Sequence, residues 1–147
     1  MEFEFSSKVT IEFNWKEVGK ITPHEQSDIK VPDALHEPAV YIIRSSTGIY
    51  VGETSSLKRR LQNYRRPGGS ESTEKPRTNR RIKRKILDAL PQGDVLVLKA
   101  VNLRYSRNGE PSFPINLDKK HERLFAENAV ITVLGLQGSF NWNDPSQ

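Results

Sequence analysis

Two short apolar runs joined by a compact polar turn constrain this chain more than any other feature. AVYIIR (39–44) and IYVGE (49–53) flank SSTG (45–48). β-Branched and aromatic residues crowded into runs this short favour extended backbone, and a Ser/Gly turn between two such runs predicts a β-hairpin. Thr54-Ser55-Ser56 then offers hydroxyls to cap a helix, LKRRLQNYRR supplies its body, and Pro67-Gly68-Gly69 stops it.

The flanking sequence is read by the same periodicities. Upstream, Val9, Ile11, Phe13 and Trp15 alternate with polar residues, and Phe3 and Phe5 do so before them, which predicts a long strand or a hairpin. ITPHEQSDIKVPDALHEP (21–38) has three prolines, several charges and no period, so it is expected to be an irregular connector. Downstream, the polar segment 68–77 is expected to be a loop, and Ile82, Ile86, Leu87 and Leu90 mark one face of a second basic helix over about 79–90. DVLVLKAV (94–101) is expected to be a buried strand, 103–116 a loop, and about 118–134 a longer helix. The fold class is therefore α+β: a small three-stranded antiparallel sheet flanked by helices, with an extra N-terminal strand or hairpin. Residues 1–37 are read as an N-terminal extension and 38–147 as the main domain.

Composition limits the function classes. The 147 residues suit one domain, and no apolar run reaches membrane-spanning length. The acidic, alternating N-terminus does not resemble a signal peptide, and with no cysteine there are no disulfides, thiolate zinc sites or cysteine nucleophiles, so a cytoplasmic location is expected. Charge is unevenly spread. Residues 57–86 hold twelve Lys or Arg against two Glu, a net of +10, which leaves −5 for the rest of a chain whose total is +5. One basic arm on an acidic body is the footprint of a polyanion binder, although a solvated helix face gives the same pattern.

Several polar residues stand where apolar ones are expected. Leu57, Leu61 and Tyr64 form the inward stripe of the first helix, with Arg60 on the same side. In the last helix Leu124, Ile131 and Leu134 form the expected stripe, and Glu127 falls between them, directing a carboxylate at the core. A buried carboxylate costs several kcal/mol (on the order of 3–5) unless it is paired or holds a metal. Arg60 and Glu127 can be a structural ion pair, and Tyr41 and Tyr50 core aromatics with satisfied hydroxyls. Phosphoryl chemistry uses the same set: a proton acceptor for water, a fixed cation and a carboxylate for a divalent ion. His24, His36 and His121 lack metal-ligand spacing, and Trp15 and Trp142 are expected to pack in the core or in a lid.

In order and spacing these residues resemble the GIY-YIG nuclease family over about 38–143. Ala39-Val40-Tyr41 stands where that family has its first triplet and Tyr50-Val51-Gly52 where it has its second; the literal Gly48-Ile49-Tyr50 is a decoy. Arg60, ten residues after Tyr50, matches the family's catalytic arginine, and Tyr64 fills a position usually held by histidine or tyrosine. Glu127, in AENAVI, matches the metal-binding glutamate, and Asn141 the asparagine that closes the domain. Ala39 in place of glycine and the acid Glu53 after the second motif depart from the pattern.

The resemblance implies metal-dependent hydrolysis of DNA phosphodiester bonds. Tyr41 would take a proton from the attacking water, which requires a phenol pKa lowered from about 10. Tyr50 would orient or relay, Arg60 stabilise transition-state charge, Tyr64 hydrogen-bond the nucleophile or phosphate, and Glu127 ligate Mg²⁺ or Mn²⁺. Asn141 would brace the last helix. Lys58, Arg59, Arg65, Arg66, Arg77, Arg80, Arg81, Lys83, Arg84 and Lys85 would grip phosphates of duplex or branched DNA flanking the cut. A homodimer would be one route to cutting both strands. The alternative is a catalytically inactive nucleic-acid-binding module that retains the fold.

Overall fold

The computed structural model describes residues 8–68 and 76–146. Its strands are β1 (Val9–His24), β2 (Asp28–Lys30), β3 (Ala39–Arg44), β4 (Ile49–Thr54), β5 (Val95–Arg107) and β6 (Phe113–Pro114). Its helices are α1 (Leu57–Arg65), α2 (Pro76–Ala89) and α3 (Lys120–Leu134), with 3₁₀ turns at Leu90–Gln92 and Gly138–Phe140. Among the described residues no helix is long and apolar enough to cross a membrane.

All strand pairs are antiparallel, in the order β2-β1-β5-β3-β4, and β6 pairs with β5. The predicted hairpin is β3–β4, with Tyr41 opposite Gly52 and Ile43 opposite Tyr50. Successive strand residues point to opposite faces, and β3 uses both. Ala39, Tyr41 and Ile43 meet Leu57, Leu61 and Tyr64 of α1 and Ile82, Ile86 and Ala89 of α2. Val40 and Ile42 meet Ala126 and Val130 of α3. The sheet is therefore sandwiched between α1–α2 and α3, and the apolar run AVYIIR is buried on both sides until Arg44.

The local signals act as read at α1. The Ser56 hydroxyl accepts from the Arg59 N–H at 3.3 Å, and the helix ends just before Pro67. Four expectations are corrected. β1 does not stop near Trp15; it continues to His24 and turns into β2, so half of the expected connector is a hairpin. Glu25 and Ser27 adopt positive φ in that turn, a geometry that periodicity does not reveal. β5 extends to Arg107, a turn follows at Asn108-Gly109, both with positive φ, and β6 returns to pair with β5, so half of 103–116 is sheet. Pro76–Thr78 belong to α2 rather than to a loop; Phe3, Phe5 and residues 69–75 of the expected strand and loop lie outside the described residues. Finally, the buried stripe of α3 is Arg123, Ala126 and Val130, while Leu124 is exposed and Glu127, Ile131 and Leu134 are half-buried flanks.

Candidate nuclease site

The site grows from the β3–β4 hairpin. Gly52 lies across from Tyr41, and a Cβ on it would stand 2.5 Å from the Tyr41 hydroxyl. Glycine is required there because the ring of its cross-strand neighbour occupies the space. Tyr41 can then lie flat and meet the side chain of Tyr64 from α1: the two hydroxyls are 2.5 Å apart and both residues are fully buried. The Tyr50 ring sits 6.4 Å from that of Tyr41 and 6.2 Å from that of Tyr64, the latter edge-on. Tyr50 is half-buried, so it is the phenol of the three that reaches the surface.

Arg60 rises from α1 into this cluster and is 93% buried by complement of its 7% exposure. Its Nη1 faces Asn79 Oδ1 of α2 and its Nη2 faces the Glu53 carbonyl of β4, each at 3.4 Å. Asn79 is fully buried, three residues before Ile82 on the apolar face of α2. It was not singled out in the sequence, although a polar residue in that stripe is the available signal. Glu53 is explained too: its Oε2 accepts from Arg123 Nε at 2.7 Å, a buried pair that ties β4 to α3. The same arginine also donates to the Leu117 and Asp118 carbonyls.

Electrostatics link the expected acid to these phenols. Glu127, half-buried on α3, acts on Tyr41 and Tyr50, whereas Arg60 acts on Tyr41, Tyr50 and Tyr64 in the opposite sense. Burial outweighs the arginine. Desolvation pushes the Tyr41 phenol far above its ordinary value, and Tyr50 adds to that shift; Tyr50 and Tyr64 are also raised, burial first. The lowered phenol expected for Tyr41 is therefore corrected: in the protein alone all three tyrosines are neutral at physiological pH, because burial, complete for Tyr41 and Tyr64 and partial for Tyr50, penalises the charged phenolate.

The C-terminal segment closes the site's edge. Trp142 lies over Gly48, where any Cβ would collide with its indole, and the Trp142 N–H donates to the Ile49 carbonyl at 3.0 Å. Asn143 copies a strand: its Oδ1 accepts from Val51 N–H at 2.8 Å and its Nδ2 donates to the Val51 carbonyl at 2.7 Å. Asn141 stands one step behind, accepting from the Asn143 N–H at 3.0 Å. Arg81 donates to the Trp142 carbonyl at 2.7 Å, fixing α2 to this segment beside Tyr50.

The hairpin, the tyrosine cluster and α2 lie in one contiguous stretch, and residues 37–92 match the family model of the GIY-YIG catalytic domain. Over these residues the chain is similar to a GIY-YIG catalytic domain. That likeness implies a nuclease of the phosphodiesterase kind, with nucleic acid as the substrate class. It includes Tyr41, Tyr50, Arg60 and Tyr64 and ends before β5, so Glu127 and Asn143 lie outside it. Comparisons with curated proteins and with solved structures gave no match.

GIY-YIG domains are typically metal-dependent. Among the described residues no group of three or more His, Asp or Glu converges, so a cage made wholly of protein ligands does not fit. A single carboxylate does fit a hard cation that keeps most of its shell as water and phosphate oxygen, as Mg²⁺ does. Glu127, half-buried on α3 and acting on the Tyr41 and Tyr50 phenols, has the chemistry of such a carboxylate.

The basic arm divides into two kinds of residue. Lys58, Arg59, Arg66, Arg77, Arg80 and Arg84 are exposed on α1 and α2. Arg65, Arg81, Lys83 and Lys85 are half-buried. Lys83 donates to the Arg65 carbonyl at 2.8 Å and to Asp28 at 3.2 Å, so it staples α2 to α1 and β2. The Ile29 amide, and then Lys83, hold the Asp28 carboxyl below its usual range.

Proposed function

We propose that this chain is a divalent-metal-dependent DNA endonuclease, in which residues 38–147 form the nuclease unit and 1–37 an extension built onto its sheet. The observation that carries the reading is the buried Arg60 guanidinium set among three phenols at the base of an exposed cationic surface. A guanidinium fixed in a buried site meets the extra negative charge of a transition-state phosphate without reorganising.

Tyr50, the most exposed of the three phenols, orients the attacking water; Tyr41, as its phenolate, takes the proton of that water and becomes the neutral phenol, held by its short hydrogen bond to Tyr64. Arg60, steadied by Asn79 and the Glu53 carbonyl, faces the non-bridging phosphate oxygens. Glu127 would hold Mg²⁺ or Mn²⁺, which when bound supplies Lewis-acid stabilisation of the phosphoryl group. The exposed lysines and arginines position the backbone without reading bases.

Incubation with supercoiled, branched and single-stranded DNA, with Mg²⁺, with Mn²⁺ and with EDTA, tests this. Cleavage with either metal and none in EDTA is expected. DNA binding without cleavage under every condition would replace the reading with that of an inactive binding module.

A further inference from the structure

β1 is sixteen residues long. β5 pairs along one of its edges from Val9 to Ile21. On the other edge β2 pairs only with Thr22, Pro23 and His24, so among the described residues no strand covers that edge from Val9 to Ile21. A free edge of this length presents outward N–H and C=O groups that pair readily with another strand, and proteins whose edges stay single usually blunt them. This edge carries a bulge between Glu17 and Gly19, and along the regular stretch before it the side chains match a copy of themselves.

Antiparallel pairing of β1 with β1 of a second copy, centred on Asn14, sets Glu12 opposite Lys16 of the other copy, and does so twice by symmetry. The same register sets Phe13 opposite Trp15 and Ile11 opposite Glu17, and no like charges meet within 11–17, the stretch that ends before the bulge between Glu17 and Gly19. The flanking Lys20 is neutralised by Asp94 of its own chain at 3.1 Å. Residues directly opposite share a face, so the aromatic pairs lie on the α3 side and the ion pairs on the other. Moving the centre to Phe13 or Trp15 loses both ion pairs. Beside this edge, on the α3 side, runs an open apolar groove of about 330 Å³ lined by Val9, Ile11, Phe125, Ala129 and Val133. Val9 is 56% and Val133 62% exposed, apolar surface that a two-fold partner would bring together with its own.

We propose that this chain forms a homodimer through antiparallel β1–β1 pairing centred on Asn14, giving one continuous sheet with a site on the β3–β4 hairpin at each end. The pairing stands independently of the nuclease reading; two sites on one particle would serve two phosphodiester strands.

Sedimentation equilibrium on the full chain tests it, with circular dichroism confirming that each variant folds. The wild type sediments as a dimer. Glu12→Lys and Lys16→Glu each raise its dissociation constant about tenfold, since each sets like charges opposite one another twice. The double variant, with the charges exchanged, restores the dimer. Mixing the two single variants yields a heterodimer in preference to either homodimer. A wild-type monomer at the highest concentration reached, or a dimer indifferent to both single substitutions, overturns the proposal.

Discussion

Arg60 and the residues that hold it carry the sharpest expectations at the level of single side chains. Arg60→Ala removes the guanidinium without touching the capping or the apolar stripe of α1, so folding should survive while kcat falls by about two to three orders of magnitude. Plasmid cleavage, with circular dichroism as the folding control, decides between this and a purely structural arginine, which would lower thermal stability instead. Asn79→Ala leaves Arg60 in place but less well aimed; kcat should fall up to about a hundredfold with KM little changed. The phenols make a third test. Desolvation raises Tyr41, Tyr50 and Tyr64 above their ordinary values, so the phenolate fraction grows about tenfold per pH unit throughout the usual assay range. If a phenolate accepts the proton, log kcat rises with pH between about 6 and 9 with no plateau. A plateau below pH 8 would assign proton transfer to another group. The positions of these residues were legible in the sequence, because helical spacing puts Arg60 and Tyr64 on the stripe of Leu57 and Leu61. Their protonation behaviour was not: burial is a sum over three elements packed together, and no local pattern records it.

At the level of elements, the hairpin and α1 were legible for a different reason. Their signals are local: a Ser/Gly turn, a hydroxyl cap, a proline stop. What escaped the sequence depends on contacts across long separations. The second half of β1 has no clean alternation because Gly19 packs on Pro32 and register shifts interrupt its pairing with β5. Asn143 has no signature in its own neighbourhood, since its partner Val51 is 92 residues away. That clamp predicts a stability effect. Asn143→Ala strips two hydrogen bonds from the backbone of β4 and should cost about 1–3 kcal/mol, read as a lower Tm in thermal denaturation. Gly52→Ala should cost a similar amount by another route, because the new methyl group displaces the Tyr41 ring and breaks its bond to Tyr64. Losing activity well before losing the fold is the expected signature of Gly52→Ala, and an unchanged Tm for Asn143→Ala would show that β4 is held by other contacts.

On the scale of the whole molecule, charge is organised rather than merely abundant. The acidic balance lies in the connecting segments, at residues such as Glu25, Asp33, Glu37, Asp94, Glu110 and Asp118, whereas α1 and α2 gather the basic residues on the side that holds the tyrosine cluster. Structure refines which of those cations can meet a polyanion. Lys83 and Arg81 are turned to carbonyls and to Asp28, so they fix α2 against its neighbours. On the proposed reading the exposed residues Arg80 and Arg84 on α2 and Lys58 and Arg66 around α1 meet the phosphates. Each phosphate contact releases about one condensed counterion, so log K falls with log salt by roughly 0.9 per contact on duplex DNA. Removing Arg80 and Arg84 together should therefore flatten that slope by about 2 and weaken every DNA sequence to the same degree. Lys83→Ala should instead lower Tm and leave the slope nearly unchanged, because its ammonium is already spent on the fold. Fluorescence anisotropy over a salt series separates the two. Equal slopes for all variants would place the DNA path off this helix pair, and with it the route by which a phosphate reaches Arg60.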